Sequence, residues 1–327
     1  MRVTSLEAHI AGAAVRLVTS GVPTVEGSTM AERQQSFEQH SADLALRLTR
    51  EPRGHAGMVG VILTPPERPE ANAGMVFFDG AGPRAHSGHA AMAAAALALE
   101  HGLATTTRRW LEIDTVGGAC RLEAVAGAPG TPWRVRYEGP PAAVLRANLP
   151  VASTRRNLAA DLAWSGTELV AIVEGESAAV PLSTAHTVEL RRAGTALIDA
   201  IDGLVALTPP GRSSPVPVTA CVFVGPAVSL DADLRSVLVR AGGSVSRSPS
   251  ASGSAAVAVV LAAMHAIAPG APSRHESLSG ACWTALAGDP SADGTVPVAI
   301  TGEVYPTGTA QWADAASDPL SRGVPWT

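Results

Sequence analysis

The chain has 327 residues, of which 46% are hydrophobic and 16% charged, and its net charge is −5. That composition suits about two domains with sizeable cores and excludes a disordered chain. The 24 basic residues are all arginine and form no basic run, which argues against a nucleic-acid surface. The lack of lysine also excludes a lysine Schiff base, a P-loop and an S-x-x-K acyl enzyme.

In chain order, short β-branched or alternating runs at 15–18, 58–63, 74–78, 110–114, 133–137, 169–173, 216–224 and 296–300 predict strands separated by Gly/Pro turns. Residues 29–48 predict a helix, with Ser28 or Thr29 as cap and Glu32 completing a capping box with Thr29. A further helix is expected within 183–207. The Pro/Gly-rich spans 127–132 and 139–151 read as loops, the second as a joint between domains. Two more helices, 87–100 and 250–265, resemble each other. Each begins at a Ser, has a Gly in its first turn, and continues as an almost uncharged Ala-rich run. A helix apolar on all sides is a buried one. Their spacing of half the chain predicts a duplication, each half being strands around one central helix, with domains 1–147 and 148–327 and the last strands returning to the first.

Cys120, Cys221 and Cys282 are odd in number and far apart, so neither a disulfide framework nor a zinc knuckle is indicated. The N-terminal residues show no apolar leader core, and the longest apolar stretch, about 255–267, is too short to span a bilayer. The expectation is a cytoplasmic protein with no membrane or nucleic-acid partner, and a homodimer is open.

A helix start has amides without intrahelical partners and a partial positive charge. Two such starts serving one site would bind a carboxylate and stabilise the enolate-like charge formed when its α-proton leaves. Side chains at the two starts could then act on opposite faces of that carbon, without a cofactor. The plainer reading of either Ser is an N-cap.

Several segments carry a resemblance. Glu51-Pro52-Arg53-Gly54-His55-Ala56-Gly57-Met58 is similar to the E-P-R-G-H-x-x-M segment of the proline racemase family. His86-Ser87-Gly88-His89-Ala90 stands where that family has M-C-G-H-G, and Arg247 to Ser254 where it has R-S-P-C-G-T-G-T. Asp161 to Gly166 resembles D-V-A-[FY]-G-G, and His9 to Arg16 resembles H-T-x-G-E-P-x-R. Ile300-Thr301-Gly302 and Asp318-Pro319 resemble its closing strands.

The resemblance implies an α/β, diaminopimelate epimerase-like fold: two pseudo-symmetric domains, each a curled sheet around a central helix, with the site between them. It implies a cofactor-independent protein without metal that acts at the α-carbon of a small carboxylate-bearing imino or amino acid. It would be a proline racemase or hydroxyproline epimerase-like isomerase. The alternatives are a trans-3-hydroxyproline dehydratase-like lyase and a repurposed or non-catalytic ligand-binding homologue. The family's two catalytic cysteines map onto Ser87 and Ser250, and its substrate-contacting His onto His89. Its substrate-amine Asp maps onto Ser246. The carboxylate-binding positions map onto Gly88, Ala251 and Ser252, with Gly253 beside them. Ala13, Ala90 and Ala251 are further departures from the pattern. An alcohol is a weaker acid than a thiol of pKa ~8.5 by several units, each worth about 1.4 kcal/mol, so thiolate-type base chemistry is handicapped. Two other readings are a His55/His86/His89 metal site, for which i, i+3 spacing is not diagnostic, and a serine hydrolase, which lacks its G-x-S-x-G elbow.

Overall fold

Strand pairing repeats along this chain. The computed structural model describes residues 2–128, 130–152, 157–268, 270–313, 315 and 317–324. Among them lie β1 (Arg2–Ile10), β2 (Ala13–Ser20), α1 (Met30–Thr49), β3 (Val59–Thr64), β4 (Ala73–Asp79), β5 (Gly82–Arg84), α2 (Gly88–Glu100), β6 (Leu111–Asp114), β7 (Cys120–Val125) and β8 (Trp133–Glu138). They continue with β9 (Ala143–Ala152), β10 (Asn157–Trp164), β11 (Leu169–Glu174), α3 (Thr187–Asp202), β12 (Val218–Gly225), β13 (Leu234–Arg240), α4 (Ala251–Ala263), β14 (Ser273–Glu276), β15 (Cys282–Ala287) and β16 (Val298–Ala313). The residues divide into two compact units, Met1–Tyr137 with Glu303–Thr327, and Glu138–Gly302. The division falls before the 147/148 boundary read from the sequence.

In the first unit β1/β2 is antiparallel, β2/β3 parallel, β3/β4 antiparallel, β4/β6 parallel and β6/β7 antiparallel. The second repeats this order in β10/β11, β11/β12, β12/β13, β13/β14 and β14/β15. α1 and α3 occupy matching crossovers, as do α2 and α4. The first strand of each set has one more antiparallel neighbour: β16 beside β1, and β9 beside β10.

Strand β9 corrects the loop reading of 139–151. Pro140, Pro141 and Pro150 suggest a linker, but the first two precede β9, and Pro150 lies within it at the end of the strand order, where an edge strand tolerates a proline because one side of its backbone needs no partner.

α2 packs on β1, β2, β3 and β7, and α4 on β9, β10, β11, β13 and β15. Strands far apart in the order reach the same helix only if the sheet curls around it. Residues 90–98 of α2 are at most 1% exposed, which is why small uncharged alanines fill it. α1 begins at the expected capping box, with Thr29 accepting from the Glu32 amide and the Glu32 side chain accepting from the Thr29 amide. Its buried stripe, Met30, Arg33, Phe37, Leu44 and Leu48, lies on a second core with Phe78, 5.1 Å from Phe37 between ring centroids.

Several of the family-like segments meet at one partly buried ion pair. Arg16, 3% exposed, donates from Nε to Glu7 at 2.8 Å and from Nη1 to the Arg53 carbonyl at 2.9 Å and to the Leu48 carbonyl of α1. Its guanidinium stacks 4.1 Å over the Trp312 ring, whose Nε1 donates to Ser5, and Arg53 pairs with Asp318. These residues tie β1, β2 and the end of α1 to the returning strand β16. No helix among the described residues is long and apolar enough to cross a membrane.

Candidate active site

Ser87 is the N-cap of α2 and Ser250 the N-cap of α4. Both are buried, at 5% and 4% exposure. Ser87 makes no side-chain cap bond, so capping alone does not account for its hydroxyl. The hydroxyl lies 3.4 Å from Nδ1 of His89, at the outer edge of hydrogen-bond distance.

The residue before Ser87 is locked. The Thr115 hydroxyl donates to the Gly118 carbonyl at 2.6 Å, so its oxygen accepts from His86 Nδ1–H at 2.9 Å. Nε2 of His86 is then the acceptor for the Tyr137 hydroxyl at 2.6 Å. Burial pushes the Tyr137 phenol well above its ordinary range, which keeps it a donor. Gly117 must lack a side chain, because a Cβ there would stand 2.6 Å from the His86 Cβ. With both ring nitrogens committed to hydroxyls, the His86 ring is fixed in place and has no free nitrogen to ligate a metal. Among the described residues no three His, Cys, Asp or Glu side chains gather as a metal site. Sequence reasoning missed Thr115 and Tyr137. The signal was available in Tyr137, one of two tyrosines in an aromatic-poor chain, on a strand where a buried phenol must find a partner.

At the other start, Ser250 adopts φ 66° and ψ 125°. Its hydroxyl lies 3.1 Å from that of Ser252 and 3.5 Å from the Gly253 amide, which donates to it. Its own amide donates to Ser248 Oγ at 3.3 Å. Ser246 donates to the Ser248 carbonyl at 2.8 Å, so this position presents a hydroxyl already in use and no charge. Gly253 lies close to the sheet, and a Cβ there would meet Val222 at 3.0 Å. Ser254 accepts from Trp283 Nε1 at 2.8 Å, fixing the first turn to β15. Gly88 and Ala251 are the first residues of the two helices, both buried.

The four helices differ in charge at their starts. α1 and α3 carry Glu32 and Glu189 in the first turn, whereas α2 and α4 carry no acid there. The two buried helices therefore do not neutralise their positive ends with first-turn acids of their own, which suits an anion.

The sequence model of the proline racemase family matches residues 5–325. The chain belongs to the proline racemase family. Trans-3-hydroxy-L-proline dehydratase of Bacillus cereus is 28% identical over 98% of this chain and 97% of its own. 4-Hydroxyproline 2-epimerase of Streptosporangium roseum is 28% identical over the same shares. Among solved structures, a hydroxyproline epimerase from Agrobacterium vitis, with bound trans-4-hydroxy-L-proline, aligns at TM-score 0.85 over 98% of this chain and 94% of that one. At 22% identity that likeness speaks for the fold, which is the epimerase-like architecture expected.

Proposed function

We propose that this proline racemase-family chain is a cofactor-independent isomerase acting at the α-carbon of a small imino or amino acid. The observation that carries the reading is the pair of buried helix starts, each with a hydroxyl and no first-turn acid. In this reading the amides near Gly88, Ala251, Ser252 and Gly253 receive the carboxylate, and Ser246 faces the nitrogen. His89, in contact with Ser87, takes the α-proton directly or through the Ser87 hydroxyl. The C–H electron pair stays on the carbon and spreads into the carboxylate, where helix amides stabilise it. A proton returned through Ser250 and Ser252 to the other face inverts the centre. The names of the relatives, racemase, epimerase and dehydratase, support chemistry at this carbon.

One observation favours a second reading, a lyase. The Ser87 hydroxyl has an imidazole within contact, whereas among the described residues the Ser250 hydroxyl bonds to a hydroxyl and an amide. A base on one face and donors on the other suit loss of a β-hydroxyl as water, leaving an unsaturated product.

Purified protein incubated in D2O with L-proline, trans-4-hydroxy-L-proline and trans-3-hydroxy-L-proline, followed by NMR, separates these readings. Hα exchange with inversion supports the isomerase, and loss of the ring hydroxyl supports the lyase. Binding without either leaves a ligand-binding homologue. Ser87→Cys with Ser250→Cys recovers several pKa units of acidity and raises Hα exchange. Adding Ser246→Asp strengthens this by a charged hydrogen bond of ~1.5–3 kcal/mol to the ligand nitrogen. A triple variant that binds ligand yet exchanges no deuterium defeats the reading.

A further inference from the structure

The second unit contains a cavity that the proposed chemistry does not use. It opens beyond the C-terminal end of α4 and has a volume of about 370 Å³, within the range of small-molecule sites. Val144 of β9, Val259 and Ala262 of α4, Ile267, Ala287 of β15 and Val296 form its apolar wall. Ser250 caps the opposite end of the same helix, 13 residues long, or roughly 20 Å at ~1.5 Å per residue. The cavity is therefore separate from the candidate site.

Two features give it a sign. The last turn of α4 carries no basic residue, so the negative end of the helix dipole is not neutralised by its own side chains. Asp289 is the only acidic side chain lining the cavity, and among the described residues it has no ion-pair partner. His265, at the same mouth, is the other ionisable lining residue and adds a ring nitrogen for a hydrogen bond. An apolar body would fill the pocket while a cationic head met Asp289 and the helix end.

We propose that this cavity is a binding site for a compact aliphatic ammonium compound, distinct from the site at the starts of α2 and α4. A carboxylate would meet like charge from Asp289 and from the helix end, so the two sites select opposite ligands.

The test is calorimetric titration of the full-length chain with cyclohexylammonium, cyclohexanol and cyclohexanecarboxylate. The ammonium compound binds saturably, the alcohol more weakly and the carboxylate not at all. Asp289→Asn weakens the ammonium compound about three- to fivefold, the contribution of one exposed charge pair, and leaves the alcohol unchanged. Ala262→Trp fills the cavity and removes binding of both. Val144→Trp fills it from β9 and serves where the first variant does not fold. Absence of saturable ammonium binding overturns the proposal. So does an ammonium affinity no greater than the alcohol's, or binding that survives a folded filling variant.

Discussion

Ser250 illustrates what a single residue shows only once folded. Its position at a helix start is visible in Ser250-Ala251-Ser252-Gly253, but its φ of 66° is not. A residue with a Cβ occupies that region only when its surroundings impose it, here through Ser248 Oγ and the first helical bond from the Ser254 amide at 2.8 Å. His275 was equally silent in the sequence. It lies fully buried on β14, with Nε2 2.9 Å from Ser273 Oγ and, among the described residues, no hydrogen-bond partner for Nδ1. Burial pushes its imidazole down to about 4 from the ordinary 6.5, partly opposed by Asp233. The folded state thus holds the neutral ring, and the unfolded chain takes up the proton first as pH falls. Stability present above pH 6.5 is lost progressively between pH 6.5 and about 4, by about 3 kcal/mol in all. Urea unfolding across that interval measures this loss, and His275→Gln should flatten it. A wild-type profile no steeper than the variant's contradicts the assignment.

Among the elements, the helices were the most legible, because periodicity and caps are local. The box at Thr29 and Glu32, the uniformly apolar runs of α2 and α4, and a helix within 183–207 all follow from neighbours in the chain. The strand β9 did not, because its one proline, Pro150, is tolerated at an edge, and edges belong to the sheet rather than to the segment. Close approach of helix and sheet was hidden for the same reason. Gly194 of α3 faces Val239 of β13, and a Cβ on it would stand 2.6 Å from the valine Cβ. Helix propensity alone predicts that Gly194→Ala stabilises the protein. Packing predicts the reverse, a loss of about 1–3 kcal/mol, because neither backbone can yield without disturbing the core shared by α3 and β13. The midpoint of chemical denaturation decides between them, and a rise shows that the helix can move away.

For the whole molecule, the topology makes the C-terminal segment part of the first unit. β16 pairs with β1 from Arg2↔Ala313 to Ile10↔Val304, and the segment also supplies Trp312 to Arg16 and Asp318 to Arg53. Truncation after Gly302 should therefore strip hydrogen-exchange protection from the β1 amides while α4 keeps its own, and the bared edge should promote association. Equal protection of β1 in the truncated chain refutes this. The amino-acid sequence by itself determined the repeated buried helices, the serines at their starts, the absence of lysine chemistry and the family. Each of these rests on residue type and local spacing, which need no partner. Only the tertiary structure decided that the Ser87 hydroxyl makes no capping bond at its helix start, that His86 is held by Thr115 and Tyr137, and that Arg16 is buried against Glu7 and Trp312. Those facts depend on which distant segments share a hydrogen bond or a van der Waals surface, and such pairings arise from the packing of whole elements rather than from any stretch read alone.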